Sequence, residues 1–383
     1  MDSPAPHHRR ILWAISEAGP LSRTEISEMA GVSKAAVTGA VKELIAQGLL
    51  HETDSIRGAG RPATLIAFSS GSCLFAGLSL RPDRSRLVLC DAVGDIMGTA
   101  DLPSMRTPES IPPLLDAAIK KLARDTGFDP DKVMGVGISV SGVVNAGQDT
   151  CVRSTLMGWE NVPLGKMAAD YLGLPVHIEN DANALAMREK LFGAASEAAS
   201  FALIDIDDGI GGAVFIGRNL FRGFAGGAGE VAHITVAPGG IPCQCGKRGC
   251  LDTISSLRAM KLAAGRANLK ETDFDALEAA AAQGDPAAVE ILHAAGDALG
   301  SIVAQIVQML NPERVLIRLS AERCNGLFAA VMQQTVDANV LPQMRNRTRI
   351  DVAKTPFGAH AAGAASIATH RFLLAPPSQE RTS

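Results

Sequence analysis

LSRTEISEMAGVSKAAVTGAVKELIAQG (residues 21–48) decides the architecture of the N-terminal end. Ser22 opens a short segment of helical period, and Glu25 three residues later completes a Ser-x-x-Glu capping signature. Gly31-Val32 breaks that helix, because glycine enters the left-handed backbone of a sharp turn without a Cβ clash. Ser33 then caps a second helix, in which Val37, Val41, Leu44 and Ile45 share one face and predict the packed side. Ser33, Lys34, Ala35, Thr38 and Lys42 are left on or near the outward face. A short helix, a glycine turn and a capped helix together make a helix-turn-helix, whose second helix fits a DNA major groove.

The segments on either side agree with this reading. Residues 9–18 place Ile11, Leu12 and Ile15 at helical spacing, and LLHETDSIRGAGRPATLIAF (49–68) supplies two strand-like ends around a glycine-rich turn, a wing. Residues 1–67 hold seven Lys and Arg against seven Asp and Glu, so bulk charge does not argue for DNA. Placement does: Lys34 and Lys42 face only Glu43 on the second helix, and Arg57 and Arg61 sit on the wing. Local positive surface is what phosphate contacts need. The expected DNA contacts are therefore Ser33, Lys34, Ala35, Thr38, Lys42, Arg57 and Arg61; the alternative is a helical module that binds another protein.

Beyond Ser69-Ser70-Gly71-Ser72, read as a linker over 68–73, strand-like and helical segments alternate. LFAGLSL (74–80), RLVLCDA (86–92), VMGVGISV (133–140), SFALIDI (200–206) and residues 314–319 read as strands. Residues 111–127, 287–310 and 358–374 read as helices. No internal repeat is visible. The expectation is a winged helix-turn-helix followed by an α/β protein with mixed sheets, and a disordered tail over 376–383.

The chain has 383 residues, 47% of them hydrophobic and 20% charged, with a net charge of −4. That suits two or three packed domains and excludes a disordered chain. No uncharged apolar run reaches the ~18 residues of a membrane span, and the start lacks a signal-peptide pattern. The expected location is the cytoplasm, where seven cysteines are read as thiols or metal ligands rather than disulfides. CQCGKRGC (243–250) stands out. Cys243, Cys245 and Cys250 lie in one small loop ten residues after His233, and three thiolates with an imidazole form a closed set suited to one structural zinc per chain. A closed set leaves no open position, so the metal is not expected to catalyse.

The helix-turn-helix with its Gly-Arg-Pro wing, IENDANALAMREKLFG (178–193), DDGIGGAVFIGRNLFRGFAGGAGEVAH (207–233) and CQCGKRGCLD (243–252) together resemble the ROK family of repressors and sugar kinases, over about residues 9–375. The resemblance is to the repressors, because the kinases usually lack a DNA-reading domain. It implies an actin-like (ribonuclease H-like) sugar kinase fold of two lobes around a cleft. The domains would be 1–67 for the reader, 74–185 for lobe I (completed by the helix of 358–375) and 186–357 for lobe II with the zinc loop 233–252. It also implies a sugar site at Asn180, Asp181, Glu230, His233 and Asp252, with Ala232 where the family has Gly and Asp252 where it has Glu. Operator DNA, a sugar or sugar derivative as effector, and a homodimer or homotetramer are the implied partners, with no membrane.

The competing reading is a sugar kinase with Asp181 as general base; a third is an activator with a vestigial sensor. Asp181 is present, but the phosphate loops are not. Gly77-Leu78-Ser79-Leu80-Arg81-Pro82-Asp83 lacks the first loop's Asp and glycines, and Asp207-Asp208-Gly209 replaces Gly-Thr-Gly. Arg318, Leu319 and Ser320 replace the adenine-side glycines. A carboxylate about 4 Å from a phosphate costs on the order of 4 kcal/mol at an effective dielectric near 20. No catalytic residue is therefore assigned.

Overall fold

A computed structural model describes residues 6–53, 64–69, 71 and 73–374. It divides into two compact units, one of residues 1–196 with 358–383 and the other of residues 197–357.

The first unit begins with α1 (Pro6–Ala18), β1 (Leu21–Ser22), α2 (Arg23–Ala30), α3 (Lys34–Ala46), β2 (Leu50–Thr53) and β3 (Leu65–Phe68). Ser22 and Glu25 form both bonds of the capping box, and Gly31 ends α2 at φ 62. Val37, Ala40, Val41 and Leu44 of α3 are buried with Ile11, Leu12 and Ile15 of α1. β2 and β3 pair antiparallel, Leu50 opposite Phe68, and β1 adds a third strand on β3.

The chain continues through β4 (Leu74–Leu80), β5 (Ser85–Asp91), β6 (Ile96–Leu102), α4 (Ile111–Asp125), β7 (Val133–Val140), β8 (Val143–Val144), β9 (Cys151–Ser154), β10 (Trp159–Val162), α5 (Leu164–Leu172), β11 (Val176–Asn180) and α6 (Asp181–Phe192). The main sheet runs β11-β7-β4-β5-β6, with β4, β7 and β11 parallel and the β4-β5-β6 meander antiparallel. β8, β9 and β10 form a small separate sheet.

The second unit holds β12 (Phe201–Ile206), β13 (Ile210–Ile216), β14 (Asn219–Leu220), α7 (Asp252–Ser255), α8 (Leu257–Arg266), α9 (Phe274–Ala282), α10 (Pro286–Leu310), β15 (Arg314–Leu319), α11 (Leu327–Asn339) and β16 (Arg349–Lys354). Its sheet runs β14-β13-β12-β15-β16, again with an antiparallel meander and three parallel strands. Numbered within each unit, both sheets have strand order 3-2-1-4-5. The unit is duplicated in topology although its sequence shows no repeat. α10 is the one described helix long and apolar enough to cross a membrane. Its Leu292, Leu299, Ile302 and Val303 are buried in the unit's core, and Gly296 and Gly300 let α11 approach closely.

The last helix, α12 (Ala359–Leu374), returns to the first unit. It lies on β4 and β7 at backbone range: a Cβ on Gly77 or Gly137 would stand 2.0 Å from the Ala361 carbonyl or 1.8 Å from that of Ala364. Gly363 faces the backbone of Ala184 on α6 in the same way. The unit boundary falls after α6, at 196/197, and not within it at 185/186 as the sequence suggested. Ala182–Met187 are buried as one continuous stretch, so the helix cannot be divided between two cores. The tail over 376–383, expected to be disordered, lies outside the described residues.

Candidate functional site

Three groups of side chains carry chemistry. The first is the reading face of α3. Ser33 caps the helix by accepting from the Ala36 N–H at 3.3 Å. Ser33, Lys34, Ala35, Thr38 and Lys42 are all exposed, while Val37, Ala40 and Val41 between them are turned into the core. Thr38 Oγ1 donates to the Lys34 carbonyl at 2.9 Å, which fixes its methyl and hydroxyl relative to the helix surface. Arg57 and Arg61 lie outside the described residues.

The second group is the thiol cluster. A ring nitrogen of His233 and the sulfurs of Cys243, Cys245 and Cys250 all lie within 4.8 Å of one another. Nδ1 is 3.6 Å from Cys243 Sγ, and Cys245 Sγ is 3.7 Å from Cys250 Sγ. Backbone hydrogen bonds shape this knuckle, whose Cys243 and Cys250 are buried. Cys243 N–H donates to Lys247 O, Gly246 N–H to Cys243 O, and Gly249 N–H to Ile241 O. Gly246 and Gly249 take φ of 91 and 71, and a Cβ on Gly249 would meet the Ala237 carbonyl at 1.7 Å. Lys247 Nζ donates to the His233 carbonyl at 2.6 Å, tying the loop's tip to its base.

The surroundings of the thiols pull in opposite directions. The Lys247 backbone N–H holds the Cys245 thiol below its ordinary value, while burial and the neighbouring sulfurs push Cys250 up to about 12. A dication removes that conflict by holding all three as thiolates, so the donor set fits zinc. The ring's far edge, Nε2, lies 3.8 Å from Glu230 Oε2. One imidazole thus lies between the sulfur cluster and an exposed carboxylate.

Asp252 follows the knuckle but faces inward. It is 7% exposed, with Oδ1 accepting from the Ile210 N–H at 3.1 Å and Oδ2 from Arg258 at 3.0 Å. It clamps the start of β13 to the loop. In the turn before β13 the Asp208 N–H bonds to Asp207 Oδ1 and the Asp207 N–H to Gly209 O.

The third group lies at the head of α6. Asn180 is the N-cap; its Oδ1 accepts from the Ala182 and Asn183 N–H groups, and its Nδ2 donates to Gly142 O at 3.1 Å. The amide therefore fixes the geometry in which Asp181, half-buried at the first helical position, is presented. Behind them lies a group the sequence reading passed over. Glu179, 2% exposed, accepts from Gln148 Nε2 at 2.8 Å, from Asn183 Nδ2 at 3.1 Å and from the Asn180 N–H at 2.9 Å. A Glu beside the Asn-Asp pair was visible in IENDAN; its partner Gln148, thirty-one residues upstream, was not.

The ROK family pattern matches residues 77–371 and a MarR family pattern residues 4–59. The chain is similar to the xylose repressor of Bacillus subtilis, 28% identical with 96% of each chain covered. A crystal structure of a ROK family transcriptional regulator, a homologue of the E. coli Mlc protein, matches with TM-score 0.79 at 26% identity over 96% of each chain. A ROK family glucokinase from Streptomyces griseus, solved with glucose and AMPPNP, matches at TM-score 0.67 and 27% identity, covering 77% of this chain and 99% of its own.

Proposed function

The chain belongs to the ROK family, with a helix-turn-helix domain preceding a sugar-kinase-like, actin-fold domain, and from this we infer that it is a sugar-responsive repressor of transcription. The observation that carries the reading is coverage. Similarity to a named repressor runs over 96% of both chains, while a glucokinase matched over 99% of its own length covers only 77% of this chain.

In this reading α3 enters the major groove of an operator. Lys34 and Lys42 contact phosphate, Ser33, Ala35 and Thr38 face base edges, and Arg57 and Arg61 extend the contact from the wing. The regulated genes are those of carbohydrate uptake or catabolism, and the protein acts in the cytoplasm as a homodimer or homotetramer, without a membrane. Asn180, Asp181, Glu230 and His233 recognise a sugar or sugar derivative, whose paired hydroxyls suit carboxylate and amide partners. Asp252 belongs to this set by holding the loop that carries Glu230 and His233. One zinc, held by His233, Cys243, Cys245 and Cys250, supplies fixed geometry and no chemistry. Ring order at His233 is then linked to the position of Glu230.

The chain is not a kinase in this reading. The Asp207 and Asp208 backbone N–H groups, which a phosphate cradle would need, are already bonded, and Asp181 serves as an acceptor for a sugar hydroxyl. The test is operator release against added D-xylose, D-glucose and N-acetylglucosamine, for wild type and Asp181→Asn, with ATP consumption followed in parallel. The expected outcome is release by one sugar in wild type, none in Asp181→Asn, and no ATP turnover. Normal release in the variant refutes the sensing role, and sugar-dependent ATP turnover restores the kinase reading.

A further inference from the structure

Glu179, Gln148 and Arg371 form a connected polar chain inside the first unit. Arg371, on the last turn of α12, donates through Nε to Gln148 Oε1 at 2.7 Å. Gln148 donates through Nε2 to Glu179 Oε2 at 2.8 Å, and Glu179 Oε1 accepts from the N–H of Asn180, the cap that presents Asp181. Gln148 is 2% exposed and sits in the left-handed region at φ 59, its carbonyl also accepting the Ile178 N–H of β11 at 2.8 Å. A non-glycine residue held at positive φ is strained, and here the bonds at both ends of its side chain over-determine it.

α12 is also the floor of the reader. α1 packs on it, and Ile11, Leu12 and Ile15 share one buried cluster with Ala361, Ala365, Ala368 and Leu373. Phe372, next to Arg371, packs against that same cluster. On its other sides α12 meets β4, β7 and α6 through glycines at backbone range. Such contacts have no flexible side chains to absorb a displacement, so a shift of the α6 cap passes to α12 as a rigid movement.

We propose that Glu179, Gln148 and Arg371 are positioning residues that couple the effector position at Asn180-Asp181 to the DNA reader through α12. The proposal rests on the sugar-sensing reading for its ligand, not for its geometry. By linkage, whatever sugar binding does to the reader, operator binding must do to the sugar site.

The experiment is hydrogen exchange of the full chain, read at the first turn of α6 and at α1. The variants are Gln148→Asn, which tolerates positive φ but is one methylene short, and Arg371→Met, which keeps the helix and removes the donor. Both are expected to raise exchange at least tenfold at the α6 cap and at α1 together. Arg371→Lys, which keeps charge and a donor, is expected to restore α1. With D-xylose or D-glucose added, the wild type is expected to gain protection at both places, and the variants at α6 alone. Changes confined to residues 145–150 and 178–183, or variants in which a bound sugar still protects α1, overturn the coupling. If neither sugar protects α6 in the wild type, the sensing assignment for those sugars fails, while the sugar-free comparison of variants still decides the relay.

Discussion

The two sheets have one topology and opposite ways of being held. In the first unit every residue of β4 is buried, and the helix above it is seated by Gly77 and Gly137, backbone on backbone. In the second, Ile204 of β12 shares one buried aliphatic cluster with Leu299 and Val303 of α10. Between β14 and α7 the second unit carries an excursion of some thirty residues, most of whose side chains from Asn219 to Arg248 are exposed or half-buried. Hydrophobic burial cannot order such a segment. Turn hydrogen bonds shape it, and a metal knuckle would lock it. One unit is a platform fixed by close packing; the other is a frame for a loop shaped by turn hydrogen bonds.

The largest effect expected from that contrast is metal loss. Cys245 is exposed, so Cys245→Ala removes a ligand while disturbing little packing. Structural zinc contributes on the order of 10 kcal/mol in small zinc domains, and most of that should leave with the ligand. Zinc content is expected to fall from one per chain to none, with proteolysis and exchange rising across residues 231–252 and the first unit's sheet unchanged. Unchanged zinc in the variant, or none in the wild type, removes the metal from the account. Unfolding of both units together would show that the contrast between them is false.

The next effect is read on the platform. Gly137→Ala puts a methyl 1.8 Å from the Ala364 carbonyl, and neither strand nor helix backbone can yield a rotamer to make room. Overpacking of this kind costs about 3 kcal/mol, near the upper end of the usual range. Gly296→Ala in the second unit meets the Phe328 carbonyl at 2.6 Å, a looser approach than 1.8 Å, and should cost less. Denaturant midpoints of the two variants measure the difference. Equal losses would mean that both units are packed alike.

The sequence showed the local features of this design and hid the long-range ones. Ser22, Glu25 and Ser33 announced their caps because a cap is decided within three residues, and the structure has all three. The strands at 133–140 and 314–319 were legible end to end because both are dense in Val, Ile or Leu. The second unit's edge was less so: β13 begins Ile-Gly-Gly, and glycines conceal strand character. The duplication was invisible because strand order is a property of pairing, and no residue pattern records it. The thiol cluster was readable since its ligands are close in sequence. The Gln148 link was not, because Gln148 reaches Glu179 and Arg371 only through the fold.

The smallest effect separates the units by pH. His177 lies on β11, with Gly137 of β7 as its register partner, and burial followed by the Arg371 charge lowers it to about 4 from an ordinary 6.5. Because the folded value is the lower one, protonation favours the unfolded chain. The stability that the neutral imidazole contributes is fully present above pH 6.5 and declines as pH falls towards 4. The second unit's sheet contains no histidine. Between pH 6.5 and about 5, then, exchange is expected to rise along β11 and β7, beyond the change in intrinsic rate, and much less along β12 and β15. His177→Gln should flatten that dependence, since glutamine keeps an amide in place of the ring but does not titrate. Acid also strips thiolate-bound metal, so a loss that appears first over residues 233–252 would belong to the knuckle and not to His177. If β11 and β12 loosen in parallel in the wild type, or His177→Gln leaves the β11 profile unchanged, the platform's acid sensitivity lies elsewhere.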